Sequence, residues 1–175
     1  MLEEEEEREQ AAKKDEGRVA IVSRQSSTEY VKKIIPKTQQ IRKLIHEAIS
    51  ANILFKACSD EELDELVDVF DYKEAATGSI IIRQGDEGDA FFVMESGIVD
   101  VSEEGIYKTT LKGVISFGEI ALLYGCPRSA TLRARQFCKL WYISRTAFRA
   151  ITSQFKRMRL EAKIESLKKV RHEVN

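Results

Sequence analysis

The stretch Phe117-Gly118-Glu119-Ile120-Ala121-Leu122-Leu123-Tyr124-Gly125-Cys126-Pro127-Arg128-Ser129-Ala130-Thr131-Leu132 decides how this chain is read, because it joins a helix start, one acid and one arginine. Gly118 lets the backbone approach a ligand closely and turn into a short apolar helix. That leaves the first amides, those of Glu119, Ile120 and Ala121, pointing outward with no partner inside the helix. Such a terminus attracts an anion. Glu119 repels a phosphate, so a carboxylate here makes sense as an acceptor of hydrogen bonds from hydroxyls, as a ribose 2′-OH would supply. Arg128, held after Pro127 at the far end of the turn, offers the planar fork that matches two phosphate oxygens. Taken singly, the glutamate is a charge favouring its own helix terminus and the arginine a surface ion pair. The run as a whole points to a phosphorylated sugar.

Outward from this stretch, composition sets bounds. At 175 residues, 43% hydrophobic and 33% charged, the chain suits one globular domain with extensions. The net charge of -1 hides an acidic run, Glu3 to Glu7, and a basic stretch from Arg157 to Arg171. The latter is interrupted by Glu161 and Glu165 and reads as the solvated face of an amphipathic helix, so no nucleic-acid partner is expected. No window reaches the roughly 18 apolar residues of a membrane span, and the N-terminus lacks a signal pattern. A cytosolic or nuclear protein is expected, with the cytoplasm preferred. Cys58, Cys126 and Cys138 match no zinc spacing and read as free thiols.

Residues 1–37 read as an acidic, largely disordered arm around the short apolar island Val19-Ala20-Ile21-Val22, with a candidate kinase-docking linker at Arg24 to Ser27. Residues 38–175 read as the folded domain. In it, helices are expected over 38–70, a barrel over 71–143 and trailing helices over 144–172. Ile41, Leu44, Ile45, Ala48 and Ile49 recur at helical spacing after Thr38, and Ser59-Asp60-Glu61-Glu62 resembles a capping box opening a second helix. From Ala76, glycines at 78, 85, 88, 97, 105 and 113 separate short β-branched runs at the spacing of a small antiparallel barrel or jelly roll. Strands are expected over 79–82, 91–95, 98–102, 107–111, 131–134 and 139–143. After Ser144 the period is helical again, with a bend expected near Thr152 to Gln154. The fold class is α+β, an antiparallel barrel carrying an inserted cassette between N-terminal helices and a C-terminal helical subdomain.

This order, with Gln84-Gly85-Asp86-Glu87-Gly88-Asp89-Ala90-Phe91-Phe92-Val93 as a glycine-rich turn between strands and Phe117 to Leu132 as a phosphate-binding cassette, resembles the cyclic-nucleotide-binding domain over about residues 38–170. Glu29 to Lys37 and Lys139-Leu140-Trp141 look like the first of the two tandem domains in the regulatory subunit of cAMP-dependent protein kinase. The resemblance implies that Glu119 accepts the ribose 2′-hydroxyl and Arg128 clamps the cyclic phosphate. The amides of Gly118, Ala121 and Ala130, with Ile120 and Ser129 beside them, would complete the ligand site. It further implies that Asp89 relays the state of Arg128 into the barrel, and that Leu122 makes the hinge contact with the trailing helix through Phe148 or Ile151. The plain alternatives are turn chemistry for Asp89 and core packing for the three apolar residues.

The implied ligand is cAMP, with no cofactor or metal. Ser129 stands where cGMP-selective relatives often carry threonine and cAMP-selective ones alanine, so cGMP is kept as an alternative. The implied partners are a protein kinase catalytic subunit and, in the full-length protein, a second cyclic-nucleotide domain. One departure from the family bears on the kinase. Regulatory subunits carry paired arginines ahead of a small or hydroxylated residue, whereas Arg24-Gln25-Ser26-Ser27 has one. The other outputs that fit are a cGMP-dependent kinase, an exchange factor and a channel. An enzyme is not expected, since His46 and His172 lie on expected helices outside the barrel and no nucleophile motif surrounds them. The mechanism implied is a population shift, in which ligand draws the cassette inward, Leu122 moves and the trailing helices fold toward the barrel.

Overall fold

The computed structural model describes residues 30–173. Val19 to Val22 and Arg24 to Ser27 lie outside the described residues. Helix α1 (Gln39–Ala51) starts at Thr38, whose side chain accepts from the amide of Ile41, and α2 (Asp60–Val69) starts at Ser59, which accepts from the amide of Glu62. Both caps fall where the sequence places them. The other half of a capping box is not made. The Glu62 carboxylate is buried and instead accepts from Arg159 Nη1 at 2.8 Å, a residue of the trailing helix.

Eight strands follow: β1 (Asp71–Ala75), β2 (Ile80–Ile82), β3 (Ala90–Ser96), β4 (Ile98–Glu103), β5 (Ile106–Lys112), β6 (Ile115–Phe117), β7 (Thr131–Ala134) and β8 (Cys138–Ser144). They form two four-stranded antiparallel sheets in the orders β1-β8-β3-β6 and β2-β7-β4-β5. Six of the strands match expectation. The two that were not expected, β1 and β6, are an edge strand rich in charge and a three-residue strand against the cassette. A single glycine, Gly97, carries the chain from β3 in one sheet to β4 in the other. Its φ of +128° suits glycine alone, and a Cβ there would lie 2.5 Å from Cys138 Sγ. The three cysteines are free.

Between β6 and β7 stands the short helix α3 (Ile120–Leu123), and after β8 the chain runs into α4 (Arg145–Glu173). The trailing segment, expected as more than one helix, is a single one: α4 runs unbroken through Thr152 and Gln154. No glycine or proline interrupts it there, and the Thr152 hydroxyl donates to the carbonyl of Phe148 at 2.8 Å, so the residue is accommodated inside the helix.

The expected arm also ends earlier than residue 37. Residues 30–37 carry no helix or strand and are fastened along α2: the Ile35 amide donates to the Asp68 carbonyl at 2.9 Å, Lys37 Nζ to the same carbonyl at 3.0 Å, and Lys32 pairs with Glu65 and Asp68. Arg42 also reaches Asp68, and these cations hold its carboxyl below the usual carboxylate range although burial opposes them. Lys37 lies 5.4 Å from the centroid of the Trp141 ring, and burial lowers its pKa to about 8.

Alternation along β3 divides the interior in two. Phe91 and Val93 face a cluster built from the helices, with Ile45, Phe55, Leu66, Phe70, Phe148 and Ile151; Phe92 and Met94 face the barrel, with Ile82, Val99, Phe117, Leu132 and Leu140.

Candidate nucleotide site

Gly118 begins the site. Its φ is +83°, and a Cβ on it would stand 2.8 Å from Arg128 Nη1 and 3.2 Å from the Ala90 carbonyl oxygen, so no other residue keeps this turn and this contact together. The guanidinium of Arg128 lies over that bare backbone. Nη2 donates to the Ala90 carbonyl at 2.7 Å and Nη1 to the Gly118 carbonyl at 3.4 Å. The side chain is only 9% exposed, and the nearest carboxylate, Asp89, is 3.8 Å away and 82% exposed. Burial lowers the pKa of Arg128, with Asp89 working in the opposite direction. A guanidinium has five donors and two are met by carbonyls, so a desolvated cation with donors to spare faces the cavity.

The glycine-rich turn grips this arginine through its backbone. The Gly85 amide donates to the Arg128 carbonyl, and the Arg128 amide to the Asp86 carbonyl, each at 2.8 Å. Glu87 pairs with Pro127 as an isolated antiparallel bridge. The two motifs, whose contacting residues stand at least 40 positions apart in the chain, are therefore one structure.

Glu119 sits at the N-cap of α3 in a helical conformation and makes no side-chain cap bond. It takes part in none of the ion pairs found among the described residues. The first backbone bond of α3 is donated by Leu122 to the Glu119 carbonyl, so the amides of Glu119, Ile120 and Ala121 are not spent inside the helix. Helix α3 is only four residues long, and its dipole adds little to what Arg128 supplies.

These residues enclose a cavity of about 250 Å³, lined by Gly118, Glu119, Ile120, Arg128, Ser129 and Ala130 from the cassette, with Cys126 and Pro127 beside them and Ile82 and Leu132 from the barrel. Six of the expected ligand residues, Gly118, Glu119, Ile120, Arg128, Ser129 and Ala130, line it. Ile120 and Ser129 are exposed at its mouth. Ile82 and Leu132 were not foreseen as lining residues, although Ile82 ends the strand before the glycine-rich turn and Leu132 stands at the start of the strand that leaves the cassette.

The expected relay residues divide between the helical cluster and the site itself. Leu122 is buried in the same cluster as Phe148 and Ile151, which are on α4. Asp89 lies beside Arg128 and ends the glycine-rich turn, its carbonyl accepting from the Arg145 amide at 2.7 Å. Arg145 itself, and Arg149 one turn later, were not foreseen. Arg145 Nη2 donates to Glu87 at 2.7 Å and Arg149 Nη2 to the Leu123 carbonyl at 3.2 Å.

Among the described residues there is no group of three His, Cys, Asp or Glu that could hold a metal ion, and no helix long and apolar enough to cross a membrane.

The model of the cyclic nucleotide-binding domain family matches residues 72–155. Among solved structures, the chain is similar to cAMP-bound PfPKA-R (141–441), at 33% identity over 70% of this chain and 45% of that one, with a TM-score of 0.63. The regulatory domain of Toxoplasma gondii PKA in complex with cAMP is 27% identical over 66% of this chain and 46% of that one, TM-score 0.59. The CBD2 of PKAR bound to Sp-2Cl-cAMPS is 31% identical over 77% of this chain and 92% of that one, TM-score 0.53. The chain spans a little under half the length of the first two. A glycine-rich turn gripping a cassette arginine, two antiparallel sheets with flanking helices, and this match to nearly the whole of a solved domain lead to one conclusion: the chain belongs to the cyclic nucleotide-binding domain family and resembles the domains of protein kinase A regulatory subunits.

Proposed function

We propose that this chain is a cAMP-sensing regulatory module that restrains a protein kinase catalytic subunit and releases it when cAMP binds. The observation that carries the reading is Arg128, a buried cation hydrogen-bonded to two carbonyls and 3.8 Å from the exposed carboxylate of Asp89, in a cavity also lined by Glu119, whose carboxylate is in no ion pair among the described residues. A cyclic phosphate supplies the missing anion and a ribose hydroxyl supplies the donor that Glu119 lacks. The cAMP and cAMP analogue in the similar solved structures agree with that chemistry.

The arrangement of α4 supports the proposed restraint. Its first turns carry Phe148 and Ile151 into the helical cluster beside Leu122, whereas Leu160, Ile164 and Leu167 farther along are exposed. Ligand that draws the cassette inward shifts Leu122 and frees α4 to fold toward the barrel, covering apolar surface that a catalytic subunit would otherwise occupy. Such a ligand moves the equilibrium only by its difference in affinity for the two arrangements, and the kinase weakens nucleotide binding by the same factor.

A second reading rests on Ser129, whose hydroxyl is exposed on the cavity wall next to Arg128 and can accept from the exocyclic amine of guanine, which would make this a cGMP sensor. Calorimetric titration of nucleotide-stripped protein with cAMP and cGMP in parallel separates the two. Tighter cAMP binding that is lost in Arg128→Ala and Glu119→Ala is the expected result. Unchanged affinity in both variants would refute the site.

A further inference from the structure

We propose that Arg145 is a positioning residue for the phosphate clamp: from the first turn of α4 it braces the glycine-rich turn and thereby sets where Arg128 stands. The inference rests on the reading of this cavity as a nucleotide site. Arg128 is held by the glycine-rich turn through two backbone bonds and the Glu87–Pro127 bridge, so the clamp is only as steady as that turn. On its far side the turn is held by Arg145 twice, since Nη2 donates to Glu87 Oε1 at 2.7 Å and the Arg145 amide to the Asp89 carbonyl at 2.7 Å.

The helix does not account for an arginine at this place. A cation at the first residue of a helix opposes the dipole, and the first turn of α4 contains no acid to offset it. The side chain is nevertheless 20% exposed, while its partner Glu87 is 72% exposed. What covers the guanidinium is the tip of the cassette. A Cβ on Gly125 would stand 2.6 Å from Arg145 Nη1, so the glycine there leaves room for this side chain. Arg149, one turn later, donates to the carbonyl of Leu123 at the end of α3. The start of α4 thus touches the glycine-rich turn, the cassette tip and the end of α3 together, and its position sets the geometry of the clamp.

The test is a charge swap. Arg145→Glu and Glu87→Arg are made singly and together, and two quantities are followed. One is amide hydrogen exchange in nucleotide-free protein at Gly85 and Arg128, the two donors of the gripping bonds; the other is affinity for cAMP and cGMP. Each single variant is expected to lower protection at those two amides and affinity for both nucleotides by roughly fivefold, as loss of a partly buried ion pair does. The double variant restores both, and Arg145→Lys retains most of each. Unchanged protection at Gly85 and Arg128 in Arg145→Glu would overturn the proposal. So would a loss spread evenly over the chain, which marks general destabilisation, or a double variant no better than the singles. If the unaltered protein bound neither nucleotide, the reading of the cavity would fall, while the exchange data would still decide whether Arg145 positions Arg128.

Discussion

The two apolar clusters of this domain share the strand β3 and differ in what else they hold. The barrel cluster is closed by strands alone, and its Ile82 and Leu132 also form the inner wall of the cavity. The helical cluster is closed by elements from both ends of the chain, α1, α2 and α4, with aromatic contacts such as Phe55 to Phe91 and Phe55 to Phe148. The cassette enters both, since Phe117 is buried in the barrel and Leu122, five residues on, in the helical cluster. The difference teaches where a signal can travel. A ladder-bonded barrel offers a stationary floor, whereas helices packed by side chains alone can exchange one packing for another.

The sharpest way to break this contrast is to hollow out each cluster in turn. Phe148→Ala is expected to cost about 3–5 kcal/mol and Leu140→Ala about 2–5 kcal/mol in urea unfolding. Under conditions where both variants remain folded, only Phe148→Ala should change cAMP affinity; equal changes in both would erase the distinction. Next in size, Arg128→Ala should weaken cAMP binding by roughly a hundredfold, the usual cost of removing one member of a buried charged pair, without lowering the melting temperature of the ligand-free protein. A drop in melting temperature would make Arg128 part of the barrel's structure.

A smaller effect belongs to the contact that holds the middle of α4 against α2. Arg159→Met leaves the buried carboxylate of Glu62 without its partner. Because Arg159 is half exposed, the expected cost is about 1 kcal/mol, with exchange rising at α4 amides before those of the barrel. The smallest effect is spectroscopic. Burial holds Lys37 at about 8 against an ordinary 10.5. Between those values the folded chain has released a proton that the unfolded chain still holds, so this group makes stability rise with pH across that window and contributes no such gain below it. Trp141 is the only tryptophan and lies under the ammonium, so its emission should change with a midpoint near pH 8 and lose that step in Lys37→Met.

Much of the site could be read in the sequence because its chemistry is local. Gly118, Glu119 and Arg128 lie within eleven consecutive positions, and their roles follow from backbone freedom, one carboxylate and one guanidinium. What stayed hidden depends on distant partners. Strand β1 reads as a polar segment, Asp71-Tyr72-Lys73-Glu74-Ala75, and becomes a strand only because its backbone pairs with β8, Tyr72 opposite Trp141. Strand β6 is too short for alternation to show. What holds the middle of α4 is likewise distant, since Arg159 reaches the buried carboxylate of Glu62 on α2, 97 positions away. Arg145 carries no sequence signal at all, since its partner Glu87 is 58 positions away.

The two turns that flank β4 make opposite building sites. At Gly97 the chain changes sheet in one residue with Cys138 pressed against it, whereas the Glu104-Gly105 tip of the next hairpin is exposed and meets nothing within 4 Å of where a Gly105 side chain would begin. A guest domain spliced into the first would pry the sheets apart. Spliced in after Gly105, a fluorescent guest would leave the corner intact and stand one contact, Glu104 to Gln84, from the glycine-rich turn that grips Arg128, which makes that hairpin the natural place to build an optical reporter of ligand binding.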